Sequence, residues 1–246
     1  MFEQVTSQAP AVAQDLRDQI RSLRSMGAPP KSIARRLGLP PHVVAEEIRA
    51  LAAAAPPPRP APAAAQCWVS AGWSGSVEAP RQPGWSDSGT DGGPAGTGLV
   101  LVAAAAPHRH PNKLSCCGYL LDVHCLGVKD ALGPKTMIRE ELDYFLQQFF
   151  ACWEAPPVPA PLDLAKELVF GAASYAAGLG FQPHPDFRKA APILGEPPEK
   201  LSIKFGWHGR PRYASGPFDD PQAVLRTLEE KVGPDNFDFV IGLSEG

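Results

Sequence analysis

The sequence predicts a small all-α domain of three helices, then a larger α+β domain, the two joined by a Pro/Gly-rich linker. Three observations lead there. Apolar residues recur at helical spacing between Gln14 and Ala54. From Ala55 to Thr97 the chain reads PPPRPAPAAA and then GWSDSGTDGGPAG, a composition that buries too little apolar surface to offset chain entropy. From Gly98 to Gly246, short β-forming apolar runs are interspersed with amphipathic helical patterns. The expected boundaries are therefore 14–54, 55–97 and 98–246. A chain of 246 residues with 44% hydrophobic content is long enough, and apolar enough, for one small and one medium core.

The front segment explains itself residue by residue. Leu16, Ile20 and Leu23 lie at i, i+4, i+7 and give a first helix one apolar stripe, which Met26-Gly27 stops. Pro29 and Pro30 open a short second helix, KSIARRLG, in which Ile33 and Leu37 face the core and Ala34 is small enough for a close helix crossing. Gly38 supplies a tight turn, Leu39 plugs the core, and Pro40-Pro41 opens a third helix with Val44, Ile48 and Leu51 as its stripe. The linker is semi-stiff in its proline half and flexible in its glycine half. Within it, Cys67 to Val77 is less polar and can form a short docking strand.

In the larger domain, Leu99 to Ala103 (LVLVA) reads as a buried strand and Leu114 to Leu126 as a second. Ile138, Leu142, Phe145, Leu146 and Phe149 make Lys135 to Trp153 an amphipathic helix; Leu162 to Leu179 repeats the pattern, with Gly178 and Gly180 as stop signals. KLSIKFG and RPRYASG, split by Trp207-His208-Gly209, suggest a hairpin. Asp219-Asp220-Pro221 opens a last helix, with an aspartate as N-cap and proline in the first turn; Gly233 ends it, and Phe237 to Leu243 is a closing strand.

Charge is unevenly placed. From Asp15 to Ala54 there are seven basic residues against four acidic ones, a net of +3, while Gly98 to Gly246 carries 14 basic and 18 acidic residues, a net of −4. Only the front has the sign that a phosphate backbone attracts. No run approaches the roughly 20 apolar residues of a membrane helix, and MFEQVTSQAP lacks a signal-peptide pattern, so a cytoplasmic protein with no membrane partner is expected. Five cysteines, an odd number, do not suggest a disulfide framework and are expected to be reduced and partly buried.

On Ile33, Ala34, Leu37, Gly38, Leu39, Val44 and Ile48, the front segment resembles the trihelical, homeodomain-like branch of bacterial helix-turn-helix proteins. The resemblance implies double-stranded DNA as partner. The third helix would enter the major groove through His42, Val43, Ala45, Glu46 and Arg49, with Lys31, Arg35 and Arg36 on phosphates. Glu46-Glu47 on that helix instead suits a protein-interaction module. So small a unit reads a site weakly alone, which leaves room for a homodimer or a protein partner.

LLDVHCLGVKDALGP, YAAGLGFQPHPDF and the segment from Gly209 to Leu243 resemble an uncharacterised domain of bacterial and archaeal proteins, which in actinobacteria often follows a helix-turn-helix. The resemblance implies no activity. Asp122, Cys125, Lys129, His184 and Asp186 lie at an expected strand end and in a proline-flanked turn, where sites are commonly built. They can serve as nucleophile, base or metal ligand. Equally, they can be an ion pair, a buried thiol and turn-fixing groups. Cys116-Cys117 with Cys125 lacks zinc-ligand spacing, His108-Arg109-His110 reads as an exposed turn, and no phosphate-loop glycine pattern names a cofactor. The expected role is a DNA-binding transcriptional regulator whose second domain senses, dimerises or binds a partner. The alternatives are a hydrolase- or nuclease-like second domain delivered by the front module, and an adaptor made of two interaction modules.

Overall fold

The structure is a computed structural model describing residues 9–26, 28–53, 65–87, 97–153 and 155–241. The chain divides into two compact units, Met1–Ala61 and Pro62–Gly246.

In the first unit α1 (Ala9–Ser25), α2 (Pro30–Leu37) and α3 (Pro41–Ala53) enclose a core of Ile20, Leu23, Ile33, Ala34 and Val44. Leu16, Leu37, Leu39 and Ile48 pack against it, so the residues picked out by helical spacing do converge. Leu51 lies outside the described side chains. α2 ends at Gly38, whose φ of 65° and ψ of 27° are left-handed. That conformation strains any residue with a Cβ, and it lets the chain turn into α3 within three residues. The N–H groups of Gly38 and Leu39 both bond to the Ala34 carbonyl. A 2.9 Å ion pair from Arg17 Nε to Glu47 Oε1 fastens α1 to α3.

The second unit is built on a five-stranded antiparallel sheet of β1 (Gln66–Val69), β2 (Leu99–Pro107), β3 (Leu114–Asp122), β4 (Gly127–Met137) and β5 (Val158–Ala160), in spatial order β4-β3-β2-β1-β5. Helix α4 (Arg139–Phe149) covers one face and α5 (Leu162–Gly178) the other. Along β2, Val100, Val102 and Ala104 face α5, while Leu101, Ala103 and Ala105 lie on the opposite face. A strand covered on both faces reads as one apolar run, which is why LVLVAAAA shows no alternation. Gly118 leaves room for the Phe149 ring of α4; a Cβ there would lie 2.7 Å from it. The remaining elements are α6 (Phe187–Ala190), α7 (Pro221–Val232), two short 3-10 helices at Trp73–Ser76 and Ala191–Leu194, and a two-stranded parallel sheet of β6 (Arg212–Ala214) and β7 (Asp238–Val240). A smaller cluster of Cys125, Leu179, Tyr213, Leu228 and Phe237 joins the end of α5 to α7.

Several expectations need correction. The segment 55–97 is not linker throughout: β1 lies between β2 and β5, and residues 65–87 belong to the sheet domain. Burial of Cys67, Val69, Ala71 and Trp73 outweighs the polar composition around them. The Asp87 carboxylate, accepting from the N–H groups of Gly72 and Ser74 at 2.8 Å each, then pins the following loop. Residues 54–64 and 88–96 lie outside the described residues. Strand β3 stops at Asp122 rather than at Leu126. β4 and β5 are absent from the sequence expectation, because Gly127, Gly133 and Pro134 in one and two flanking prolines in the other look like turn signals. Consequently α4 begins at Arg139, with Lys135–Met137 still in strand. The expected hairpin around Trp207-His208-Gly209 is a single Trp207–Arg210 bridge. Its arms go elsewhere: Lys204 bridges to Glu78, and β6 runs parallel to β7. Residues 242 and 243 of the expected closing strand lie outside the described residues.

Candidate nucleic-acid interface

The outer surface of the first unit follows from which helix faces the core has used. With Ile33 and Ala34 buried, α2 turns Lys31, Arg35 and Arg36 outward, all exposed. None of the three forms an ion pair among the described residues, whereas Arg17 is held by Glu47 and Arg21 by Asp18 at 2.8 Å. Arg24 reaches the Ala28 carbonyl. On α3, burial of Val44 leaves His42, Val43 and Glu46 exposed and Ala45 half-buried. The side chain of Arg49 lies outside the described residues. Glu47, which would repel phosphate, is occupied by Arg17. That cross-helix pair is not legible in the sequence, where Arg17 and Glu47 stand 30 positions apart.

Of the five polar residues singled out in the second domain, Asp122, Cys125 and Lys129 lie within electrostatic reach of one another, and His184 and Asp186 share a turn tied to β4 by the bond from the His184 N–H to the Val128 carbonyl. Asp122 is buried, and its carboxylate accepts the backbone N–H groups of His124 (2.9 Å), Cys125 (2.9 Å) and Leu126 (3.1 Å), closing the β3–β4 turn. Burial pushes its carboxyl up to about 6 against the pull of those donors and of Lys129. Cys125 is fully buried in the α7 cluster, and burial raises its thiol far above the range of a nucleophile. Lys129 is paired with the Asp219 carboxylate, its Nζ 2.8 and 2.9 Å from the two oxygens. His184 and Asp186 stand in the turn before α6. There the Asp186 N–H donates to His184 Nδ1 at 3.3 Å, and the Asp186 carboxylate accepts from Lys189 at 2.7 Å. Among the described residues no hydrogen bond or ion pair joins Cys125 to His184.

Cys67, Cys116, Cys117 and Cys125 are free and buried, and Cys152 is free and exposed. Among the described residues no group of three His, Cys, Asp or Glu side chains has the geometry to hold a metal ion, and no helix is long and apolar enough to cross a membrane. Sequence reasoning missed His124, which is wholly buried in the β3–β4 turn: Nε2 donates to the Ser76 carbonyl at 2.9 Å while Nδ1 has no partner. No periodicity or spacing around it marks it out. Compared with known proteins, the chain matches no family model, no curated protein and no solved structure.

Proposed function

We propose that this chain binds double-stranded DNA as a transcriptional regulator. In this reading α3 enters the major groove through His42, Val43, Ala45, Glu46 and Arg49, and Lys31, Arg35 and Arg36 hold the flanking phosphates. The sheet domain then senses, dimerises or binds a partner. The observation that carries the reading is the contrast in pairing among the described residues: the α2 cations are exposed and free of ion pairs, while the arginines of α1 are taken up internally. Free guanidinium groups beside a tight turn are what a phosphate backbone requires.

The test is duplex binding by the full chain across a salt series. Replacing Arg35 and Arg36 with alanine is expected to lower the slope of log K against log salt by roughly 1.8, at about 0.9 for each phosphate no longer neutralised. An unchanged slope overturns the reading. Exposed Glu46 favours a protein partner instead. Glu46→Gln separates the two: it strengthens or re-specifies DNA binding if α3 lies in the groove, and leaves it unmoved if α3 docks on protein.

A further inference from the structure

Between β2 and β3 the chain turns through His108, Arg109, His110, Pro111, Asn112 and Lys113. The turn is stiffened from within. The His108 N–H bonds to the Lys113 carbonyl, the His110 N–H bonds to His108 Nδ1 at 3.1 Å, the two imidazoles stack at 5.1 Å, and Asn112 takes a left-handed φ of 62°. Arg109 and Lys113 are exposed upon it. The β3–β4 register sets Leu114 opposite Met137 and Cys116 opposite Lys135, which brings exposed Lys135 and Arg139 to the same end of the sheet. Lys113 and Arg139, with Asn112, Ile138 and Glu140, line a cleft of about 540 Å³.

This end carries four exposed cations close together on one stiff turn and on the strand and helix start beside it. Elsewhere in the domain Lys129, Lys189, Lys204 and Arg210 lie against Asp219, Asp186, Glu78 and Asp238, while Lys166, Arg188, Lys200, Arg226 and Lys231 form no ion pair among the described residues. Among the described residues, Arg109, Lys113, Lys135 and Arg139 form no ion pair. The adjacent Glu141 accepts the Ile138 N–H at 2.9 Å and keeps its negative charge. Four such cations are thus gathered at one end of a domain whose net charge from Gly98 onward is −4. Four cations against Glu140 and Glu141 leave this end net positive, and net positive charge on a stiff support suits a polyanion. The chain also enters the domain here, Gln66 lying opposite Ala105 near the end of β2.

We infer that this basic end of the sheet domain, with Arg109, Lys113, Lys135 and Arg139 as its contacts, is a second phosphate-binding surface that grips nucleic-acid backbone without reading bases. It is independent of the α3 reading and supplies the extra contact that one small helical unit lacks. An anionic membrane would require a broader apolar face than the single exposed Ile138 beside the cleft provides.

The test uses the full chain with Arg109, Lys113 and Arg139 changed together to glutamine, on a mixed-sequence duplex over a salt series. The slope of log K against log salt is expected to fall by roughly 2 to 3, with affinity at low salt at least about tenfold weaker. The charge-conserving Arg109→Lys, Lys113→Arg, Arg139→Lys chain is expected to keep the slope. Unchanged slope and affinity in the glutamine chain overturn the inference. So does a glutamine chain that binds the duplex normally but no longer binds vesicles of anionic phospholipid. Weakened binding in this chain with none in the Arg35/Arg36 variant leaves the inference standing and removes the α2–α3 reading; the converse removes this inference alone.

Discussion

Replacing Asp122 with alanine is the sharpest test of the view that this residue builds the β3–β4 turn rather than performs chemistry. Its carboxylate is the acceptor for three backbone N–H groups at 2.9, 2.9 and 3.1 Å, and the residue is 2% exposed. Alanine leaves those donors without an acceptor in a site that water does not reach freely. Taking the lower half of the ~1–3 kcal/mol range for each stranded group, because a turn can shift slightly, the loss is about 3–6 kcal/mol. With a urea dependence of ~2 kcal/mol per M for a domain of this size, the unfolding midpoint falls by roughly 1.5–3 M. Tryptophan fluorescence reads this domain alone, since all five tryptophans, Trp68, Trp73, Trp85, Trp153 and Trp207, lie beyond Pro62. Asp122→Asn keeps one acceptor oxygen for His124 and Cys125 and strands only the Leu126 N–H, so its midpoint is expected to move by under ~1 M. A midpoint for Asp122→Ala within about 0.3 M of the parent chain would refute the turn-building role, given the uncertainty usual in such fits.

Two further outcomes follow from the buried polar groups. Lys129→Met leaves the 11%-exposed Asp219 carboxylate without its cation and is expected to destabilise the domain by about 3 kcal/mol, whereas Lys129→Met with Asp219→Asn, which removes the charge and keeps an acceptor oxygen for the Gly216 N–H, recovers most of the loss; equal losses in single and double variants would show that the pair is not coupled. His124 tests pH dependence. Burial first, then Arg212 and His208, depress its pKa below 6.5, so the unfolded chain binds a proton that the folded one refuses. Stability is therefore full above pH 6.5 and falls as pH drops below it toward the folded pKa. Asp122 works in the opposite direction, its folded pKa of about 6 lying above 3.8, so its contribution is full below 3.8 and lost as pH rises through 6. Measured in an Asp122→Asn background, the urea midpoint should drop between pH 7 and 5, and a flat profile would contradict the buried neutral imidazole.

The first unit is legible because each of its signals is local. The stripe Leu16-Ile20-Leu23, the small Ala34, the left-handed Gly38 and the stripe through Val44 and Ile48 each act within a few residues, and the core they form is the one their spacing implies. Asp220 capping α7 through the Ala223 N–H at 3.1 Å, with Pro221 behind it, is equally local. The sheet is less legible. Strand β1 is masked by a proline- and glycine-rich neighbourhood, and β4 by its own glycines and proline. Neither carries the alternation that a half-exposed strand would show, since pairing with β2 and β3 is what holds them extended.

Sequence alone, then, points to three helices at the front, a turn at Gly38 and a third helix opened by Pro40-Pro41, because helical period and turn chemistry are set by near neighbours, although α1 begins at Ala9 and not near Gln14. Tertiary structure decides what distant residues do to one another. It neutralises Glu47 with Arg17, and it assigns Asp122, Lys129 and Asp186 to a turn, an ion pair and a helix start. It also gathers Arg109, Lys113, Lys135 and Arg139, which are spread over 31 positions of sequence, at one end of a sheet. Pairing partners and charge clusters of this kind depend on strand register and helix packing, which no window of adjacent residues contains.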